Sequence, residues 1–559
     1  MYILQHSGIV GERLSNGFRN FSSKSNRMKK CQLVNPLFSI AMALFLLIGL
    51  TSCATQGETS DSTAQIELEE LTIADIQAAY TAGTYTIEEL TKAYLDRIAA
   101  IDQDGPALHS VIITNPDAIT IAQELDKEFT AGESRGPLHG IPVILKDNID
   151  THDKMPTTAG SRALANSFPL QDAFLTKQLR EAGAIILGKA NLSEWANFRG
   201  QMSSSGWSGV GGQTKNPYVI TRNPCGSSSG SGVSVSANLT ILAVGTETNG
   251  SIVCPSHANG IVGIKPTVGL ISRSGVIPIS FTQDTPGPMA RTVRDAAIGL
   301  GAMVGIDEKD SKTLDSENKT YEDYTQFLNA DGLRGKRIGV YQQPLGAHFK
   351  VDSLFAQAVA FMKEQGAEIV ELENLVDGAA GRHSFQIMLY EYKDGLNKYF
   401  ESLGPDAPVK NVEELIAFNQ ADSIELAFYN QRYLEMAQEK GPLEDEEYQT
   451  ALAEMMRLSR EEGIDRVMNE LNLQAIIAPT GSPAWQTDWV NGDHFQLGSS
   501  SPAARAGYPN ITVPMGFVDE LPVGISFFGQ AWTEPLLLEI AYAFEQGTKH
   551  RKAPRFLDN

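Results

Sequence analysis

The stretch Gly245-Thr246-Glu247-Thr248-Asn249-Gly250-Ser251-Ile252 decides how this chain reads, because two upstream segments give it company. One is the Ser/Gly cluster Pro224-Cys225-Gly226-Ser227-Ser228-Ser229-Gly230. The other is Gly140-Ile141-Pro142-Val143-Ile144-Leu145-Lys146-Asp147-Asn148, where an apolar run ends in a lysine. A hydroxyl in a glycine-rich loop, a second hydroxyl and a lysine at the end of a buried strand are the parts of a Ser-Ser-Lys acyl-transfer site. A serine hydroxyl is a poor nucleophile at neutral pH until a positioned base takes its proton. Lysine can be that base only when neutral, and burial at a strand end pushes its pKa down. Asp147, beside the lysine, would raise that pKa if it faced the ammonium, so it is expected to turn away or bond elsewhere.

Around these segments the texture is α/β. Ile141 to Leu145 and Ala184-Ile185-Ile186-Leu187 read as buried strands, Leu175 to Ala182 as a helix, and Leu239 to Val244 leads into the glycine loop. Thr72 with Asp75, and Thr86 with Glu89, are spaced as helix caps; Leu90, Tyr94 and Ile98 then share one helical stripe. Residues from about 307 to 470 are acidic and mostly helical, with one strand candidate at Arg337–Tyr341. They read as an insertion that helps to shape a substrate cleft. Strands return at Ala475–Pro479 and Asn510–Pro514.

The chain has 559 residues, 42% hydrophobic and 20% charged, with a formal net charge of −22. Six of the 45 Lys and Arg but only one of the 67 Asp and Glu precede Cys53, so the remainder is more acidic still. Such a surface repels nucleic acid and anionic lipid, and no nucleic-acid partner is predicted. Nor is an obligate protein partner, a cofactor or a metal: the nine histidines show no ligand spacing.

The N-terminus reads as a targeting device. Lys29 and Lys30 precede the apolar run Pro36 to Leu50, too short to span a bilayer comfortably but suited to a signal-peptide core. Leu50-Thr51-Ser52-Cys53 resembles a bacterial lipobox, which implies cleavage before Cys53 and a lipid on its thiol. Residues 1–52 are thus expected to be a signal peptide, 53–70 the lipidation site and tether, and 71–559 the catalytic domain, with the anchor on the exported side of a bacterial envelope membrane. Met28-Lys29-Lys30 is a natural start, so residues 1–27 are expected to come from an overextended gene start. Cys225 and Cys254 are expected to be buried free thiols, small packing residues in tight loops.

The three motifs resemble the amidase signature family, whose pattern has a lysine after an apolar strand, then a Gly-Gly-Ser-Ser-Gly-Gly-like cluster, then Gly-Thr-Asp-x-Gly-Gly-Ser-Ile. Further matches are Gly260 to Thr267, Asp284 to Met289 and Ala506 to Pro514. The resemblance runs from about residue 70 to the end and thins between 307 and 470. It implies an α/β fold, a mixed β-sheet core flanked by helices. It also implies Ser251 as nucleophile, Ser227 as bridging serine and Lys146 as base. The loop Thr248, Asn249, Gly250 and Ser251 would offer backbone N–H groups to the tetrahedral oxyanion, each such donor contributing about 3 kcal/mol. Gly250 allows the positive φ that such a loop needs. Most members have Asp at 247, Gly at 249 and Arg at 253, where this chain has Glu, Asn and Val. Cys225 and Ser229 also stand where glycine is usual. These departures, with the run Ser203 to Gly209 and Gly211-Gly212-Gln213, look like the subgroup containing bacterial peptide amidases. The expected reaction is hydrolysis of a carboxamide, such as a C-terminal peptide amide, to acid and ammonia.

Other readings of the same residues stand beside this one. Gly226-Ser227-Ser228-Ser229-Gly230 matches a nucleophile elbow with Ser228 as nucleophile, but the turn-like Arg222-Asn223-Pro224-Cys225 precedes it where a strand is needed. Cys254 with His257 could form a thiol nucleophile pair. Lys265 reads as a surface or loop-packing lysine. At the level of function, the amidase-like component of a glutamine-dependent tRNA amidotransferase and a non-catalytic binding lipoprotein remain as alternatives.

Overall fold

Both predicted caps open helices: Thr72 accepts from Asp75 N and Thr86 from Glu89 N, with the acidic side chains bonded back in reciprocal capping boxes. The helices they start, Ile73–Ala82 and Ile87–Arg97, bury Ile76, Tyr80, Leu90 and Tyr94 against the main core. The structure, a computed structural model, describes residues 66–372 and 375–558. The expected signal peptide and Cys53 lie outside the described residues. Among the described residues no helix is long and apolar enough to cross a membrane. Residues 66–70, expected to belong to the tether, instead pack on the domain. Leu68 is buried, and Glu70 pairs with Arg551 at 2.8 Å.

Eleven described strands form one sheet. In chain order they are β1 (Val111–Thr114), β2 (Pro142–Lys146), β3 (Ile185–Ala190), β4 (Leu242–Glu247), β5 (Val262–Lys265), β6 (Thr285–Ala290), β7 (Arg337–Tyr341), β8 (Glu368–Leu372), β9 (Ala475–Pro479), β10 (Asn510–Val518) and β11 (Leu521–Phe528). Their spatial order is β1-β3-β2-β4-β6-β5-β10-β11-β9-β7-β8. The sheet is mixed. β3, β2 and β4 run parallel, as do β9, β7 and β8, while the strands between pair antiparallel. Every residue of β2, β3, β4 and β9 is buried, so the centre of the sheet is covered on both faces, as parallel strands require.

The 307–470 region, expected as an insertion, supplies β7 and β8 to this same sheet, and β7 has the predicted bounds. The remainder is helical as expected, led by Ala379–Ser402, whose Leu389, Tyr392, Leu396 and Phe400 build a second apolar cluster with Trp195 and Phe198. Glu425 ties this region to the Ser/Gly run. It accepts from Arg199 Nη1 at 3.0 Å and from Arg162 N, while Arg199 also bonds Glu194, which holds Gly209 N.

Candidate active site

Strands β2 and β4 are parallel neighbours, with Val143, Ile144 and Leu145 opposite Leu242, Ala243 and Val244. That register places Lys146 and Thr246 at the same end of the sheet. Lys146 is wholly buried. Its Nζ donates to Ser227 Oγ at 2.7 Å, to Thr246 Oγ1 at 2.9 Å and to the Thr246 carbonyl at 3.2 Å. Burial lowers its pKa to about 7, against the pull of Asp284 and Glu247 in the other direction. Asp147 turns away as expected. One carboxylate oxygen accepts from Thr158 Oγ1 and the other lies 3.7 Å from Lys189 Nζ.

Ser227 is held by the folding of its cluster. The Ser228 hydroxyl donates to the Thr246 carbonyl and accepts from Thr246 N, and Ser228 N donates to the Ser251 carbonyl at 3.1 Å. Ser228 is therefore fully committed to joining the cluster to the end of β4, which leaves no free hydroxyl for the elbow reading. Gly230 packs so closely on neighbouring backbone that a Cβ there would meet the Ser110 carbonyl at 2.2 Å.

Beyond β4 the chain curls through Thr248–Ser251, with Gly250 at φ +87°. Among the described residues no acceptor meets the backbone N–H of Thr248, Asn249, Gly250 or Ser251. The next two N–H groups, of Ile252 and Val253, both bond Glu247 Oε2, at 2.8 and 3.0 Å. Glu247 thus fastens the loop by its far end and leaves four donors together at the bend. Thr248 Oγ1 donates to Asp284 Oδ1 at 2.6 Å, and Asp284 also accepts from Ile279 N and Ser280 N. Asn249 bonds Ser500 and Ser501. Ser251 is buried, with 8% of the residue exposed, and its hydroxyl has no hydrogen-bond partner among the described residues. The structure therefore joins Lys146 to Ser227 directly, and brings Ser251 beside the Ser227 cluster through backbone without a bond between the two hydroxyls.

One expectation is corrected, and one open pair of readings is decided. Cys225 and Cys254 are not free thiols: they form a disulfide with a Cα–Cα distance of 5.9 Å. It ties the Ser227 loop to the helix Val253–Ala258 that follows Ser251, so the two serine loops are covalently joined. A disulfide-bonded sulfur carries no thiolate, which removes the Cys254–His257 reading. His257 is buried with no partner among the described residues, and burial holds its pKa down to about 3, so the ring is neutral. Lys265 is not at the surface: it is wholly buried, donating to the Tyr508 carbonyl at 2.7 Å and the Pro266 carbonyl at 3.1 Å, a packing role.

A family profile described as Amidase matches residues 89–538. The chain belongs to the amidase family. Its fold and chemistry are those of an amidase hydrolase, and its relatives agree. The peptide amidase of Stenotrophomonas maltophilia has 50% sequence identity and a TM-score of 0.84, covering 87% of this chain and 99% of that one. A structure of the peptide amidase PAM with the competitive inhibitor chymostatin shares 51% identity at a TM-score of 0.85, with 87% and 99% covered. A probable amidase of Arabidopsis thaliana is 40% identical over 93% of this chain and 97% of its own. A glutamyl-tRNA(Gln) amidotransferase component from Carboxydothermus hydrogenoformans is 33% identical over 87% of this chain and 99% of its own.

Sequence reasoning missed the groups that hold the amidase site. Thr246 and Asn148, whose Nδ2 bonds Thr246 Oγ1 at 3.1 Å, complete the surroundings of Lys146. Asp493 gathers Ser205 N, Ser205 Oγ and Trp485 Nε1, joining the Ser/Gly run to a distant loop. Thr246 lies within the deciding stretch and could have been found there. Asp493 has no local signal.

Proposed function

We propose that this amidase hydrolyses the C-terminal carboxamide of peptides to the free acid and ammonia, through an acyl-enzyme on Ser251. The observation that carries the reading is the buried contact of Lys146 Nζ with Ser227 Oγ at 2.7 Å, beside a loop with four unbonded N–H donors. Neutral Lys146 takes the Ser227 proton as Ser227 takes that of Ser251, and Ser251 Oγ attacks the carbonyl carbon. The oxyanion faces the Thr248–Ser251 N–H groups. Collapse breaks the C–N bond while the relay runs in reverse and protonates the nitrogen, which leaves as ammonia. Water then attacks the Ser251 ester by the same relay, releasing the acid and restoring the hydroxyl.

The peptide substrate rests on the 50–51% identity to peptide amidases. The amidotransferase relative is more distant at 33%, and a net charge of −22 disfavours a tRNA partner. Ammonia release from C-terminally amidated peptides, set against simple aliphatic and aryl amides, tests the substrate. The peptides are expected to turn over faster; turnover confined to small amides would exclude the peptide reading. We propose further that a lipid on Cys53 holds the enzyme at the membrane. Cys53→Ala is expected to move the enzyme into the soluble fraction with its activity retained, and continued membrane retention would remove the lipid anchor.

A further inference from the structure

A cavity of about 290 Å³ opens where the parallel strands β7 and β8 end, bounded by Tyr341, Gln343, Asp377, Gly498, Ser501 and Arg505. It shares a wall with the proposed active site. Ser501 faces the cavity and accepts from Asn249 Nδ2 at 3.1 Å, while Ser500 Oγ donates to Asn249 Oδ1 at 2.7 Å. Ser500 also sits against Gly250, where an added Cβ would meet its Oγ at 3.0 Å. The loop of Ser251 thus borders the cavity through Asn249, Ser500 and Ser501. Asn249, which replaces the usual glycine, fastens that loop to the cavity wall.

Arg505 gives the cavity its character. It lies in the helix Ser501–Ala506, and its guanidinium makes no hydrogen bond or ion pair with any described residue; its Nε is buried without a partner. Burial holds its pKa below the ordinary arginine value with no carboxylate to offset it. The other charged wall residue, Asp377, already accepts from Ala379 N at 2.6 Å, and no ion pair joins it to Arg505. In a chain of net charge −22, a cation in a concave site with no partner among the described residues is suited to an anion that comes from outside.

We infer that this cavity takes the carboxylate of an acidic residue that precedes the amidated residue of a peptide substrate, with Arg505 as its counter-ion. The inference rests on the peptide-amide reading above and adds a side-chain preference to it. A guanidinium offers paired donors in the geometry of a carboxylate, and the isosteric amide of glutamine lacks the charge that makes such bonds strong.

The test compares N-acetyl-Glu-Leu-amide with N-acetyl-Gln-Leu-amide by kcat/KM on the purified protein. The acidic peptide is expected to be preferred about tenfold, the scale of a hydrogen bond to a charged group. Added salt should narrow the ratio. Arg505→Gln should bring it close to one, while Arg505→Lys, which keeps the charge, should retain part of the preference. Equal turnover of the two peptides by the wild-type protein, or a preference that survives Arg505→Gln, overturns the inference and leaves the peptide-amidase reading standing. Failure to hydrolyse any peptide amide removes that reading and the inference together. The wild-type comparison needs no variant to fold.

Discussion

Ser251→Ala is expected to lower amide hydrolysis by about 10⁴-fold or more, the scale on which removal of a serine nucleophile acts, with almost no change in thermal stability. The two halves follow from the same geometry. The Ser251 hydroxyl has no hydrogen-bond partner among the described residues, so its loss orphans no buried group, and none of the mechanisms behind large destabilisation applies. The loop itself is fastened by other means: Glu247 on the N–H groups of Ile252 and Val253, and the Cys225–Cys254 disulfide just beyond. Ser227→Ala makes the informative comparison. It should also abolish turnover, but it removes a partner of the buried Lys146 Nζ and should cost stability as well. Ammonia release and a denaturation curve on each variant measure both quantities. Intact-protein mass spectrometry after an activated ester should show an acyl adduct on wild type and none on Ser251→Ala. Turnover of Ser251→Ala within tenfold of wild type would remove Ser251 as nucleophile.

What the sequence disclosed and what it concealed divide along physical lines. Local signals read well. The caps at Thr72 and Thr86 are three-residue patterns, and Arg337–Tyr341 and Ala475–Pro479 are apolar runs short enough to be strands. β8 escaped because Glu368–Leu372 sits in a stretch dominated by helical periodicity. β11 escaped because Pro522 and Gly524 break its run, and both are depleted in strands. Glu368–Leu372 also shows that the 307–470 region belongs partly to the common sheet. The burial of Lys265 was invisible because its partners are backbone carbonyls of Pro266 and Tyr508, which no side-chain pattern marks. The disulfide depends on two loops, 29 residues apart, meeting at the end of β4. With two cysteines there was no framework of spacings to suggest it. At the site, Lys146, Ser227 and Ser251 stood out because each lies in one of the three segments that carry the family resemblance. Thr246, Asn148 and Asp284 act through hydrogen bonds to residues distant in sequence, and spacing says nothing about those.

The second large effect concerns Lys146 and sets the pH dependence. As the proposed base, Lys146 must be neutral, so activity should follow its deprotonated fraction. Burial disfavours the ammonium and lowers the pKa to about 7, while Asp284 and Glu247 favour the ammonium and limit the fall. The logarithm of kcat/KM should accordingly rise with slope one up to about pH 7 and level off above it. An ordinary lysine in this role would leave the enzyme mostly protonated until pH 10.5. Lys146→Met should lower kcat/KM by about 10³-fold, within the span of general-base catalysis, and abolish the acid limb. Asp284→Asn removes the largest opposing charge, so whatever activity it keeps should show its limb at lower pH. The same pKa makes a claim on stability. Between about pH 7 and 10.5 the unfolded chain holds a proton on Lys146 that the native state has lost, so wild type should gain stability with rising pH relative to Lys146→Met. That gain is on the order of a few kcal/mol across the window. It is a difference in slope, so it survives any fixed cost of leaving Ser227 and Thr246 without their donor. An acid limb that persists in Lys146→Met would assign the titration to another group. A wild-type limb near pH 10 would mean that burial does not neutralise this lysine, and the relay would lose its base.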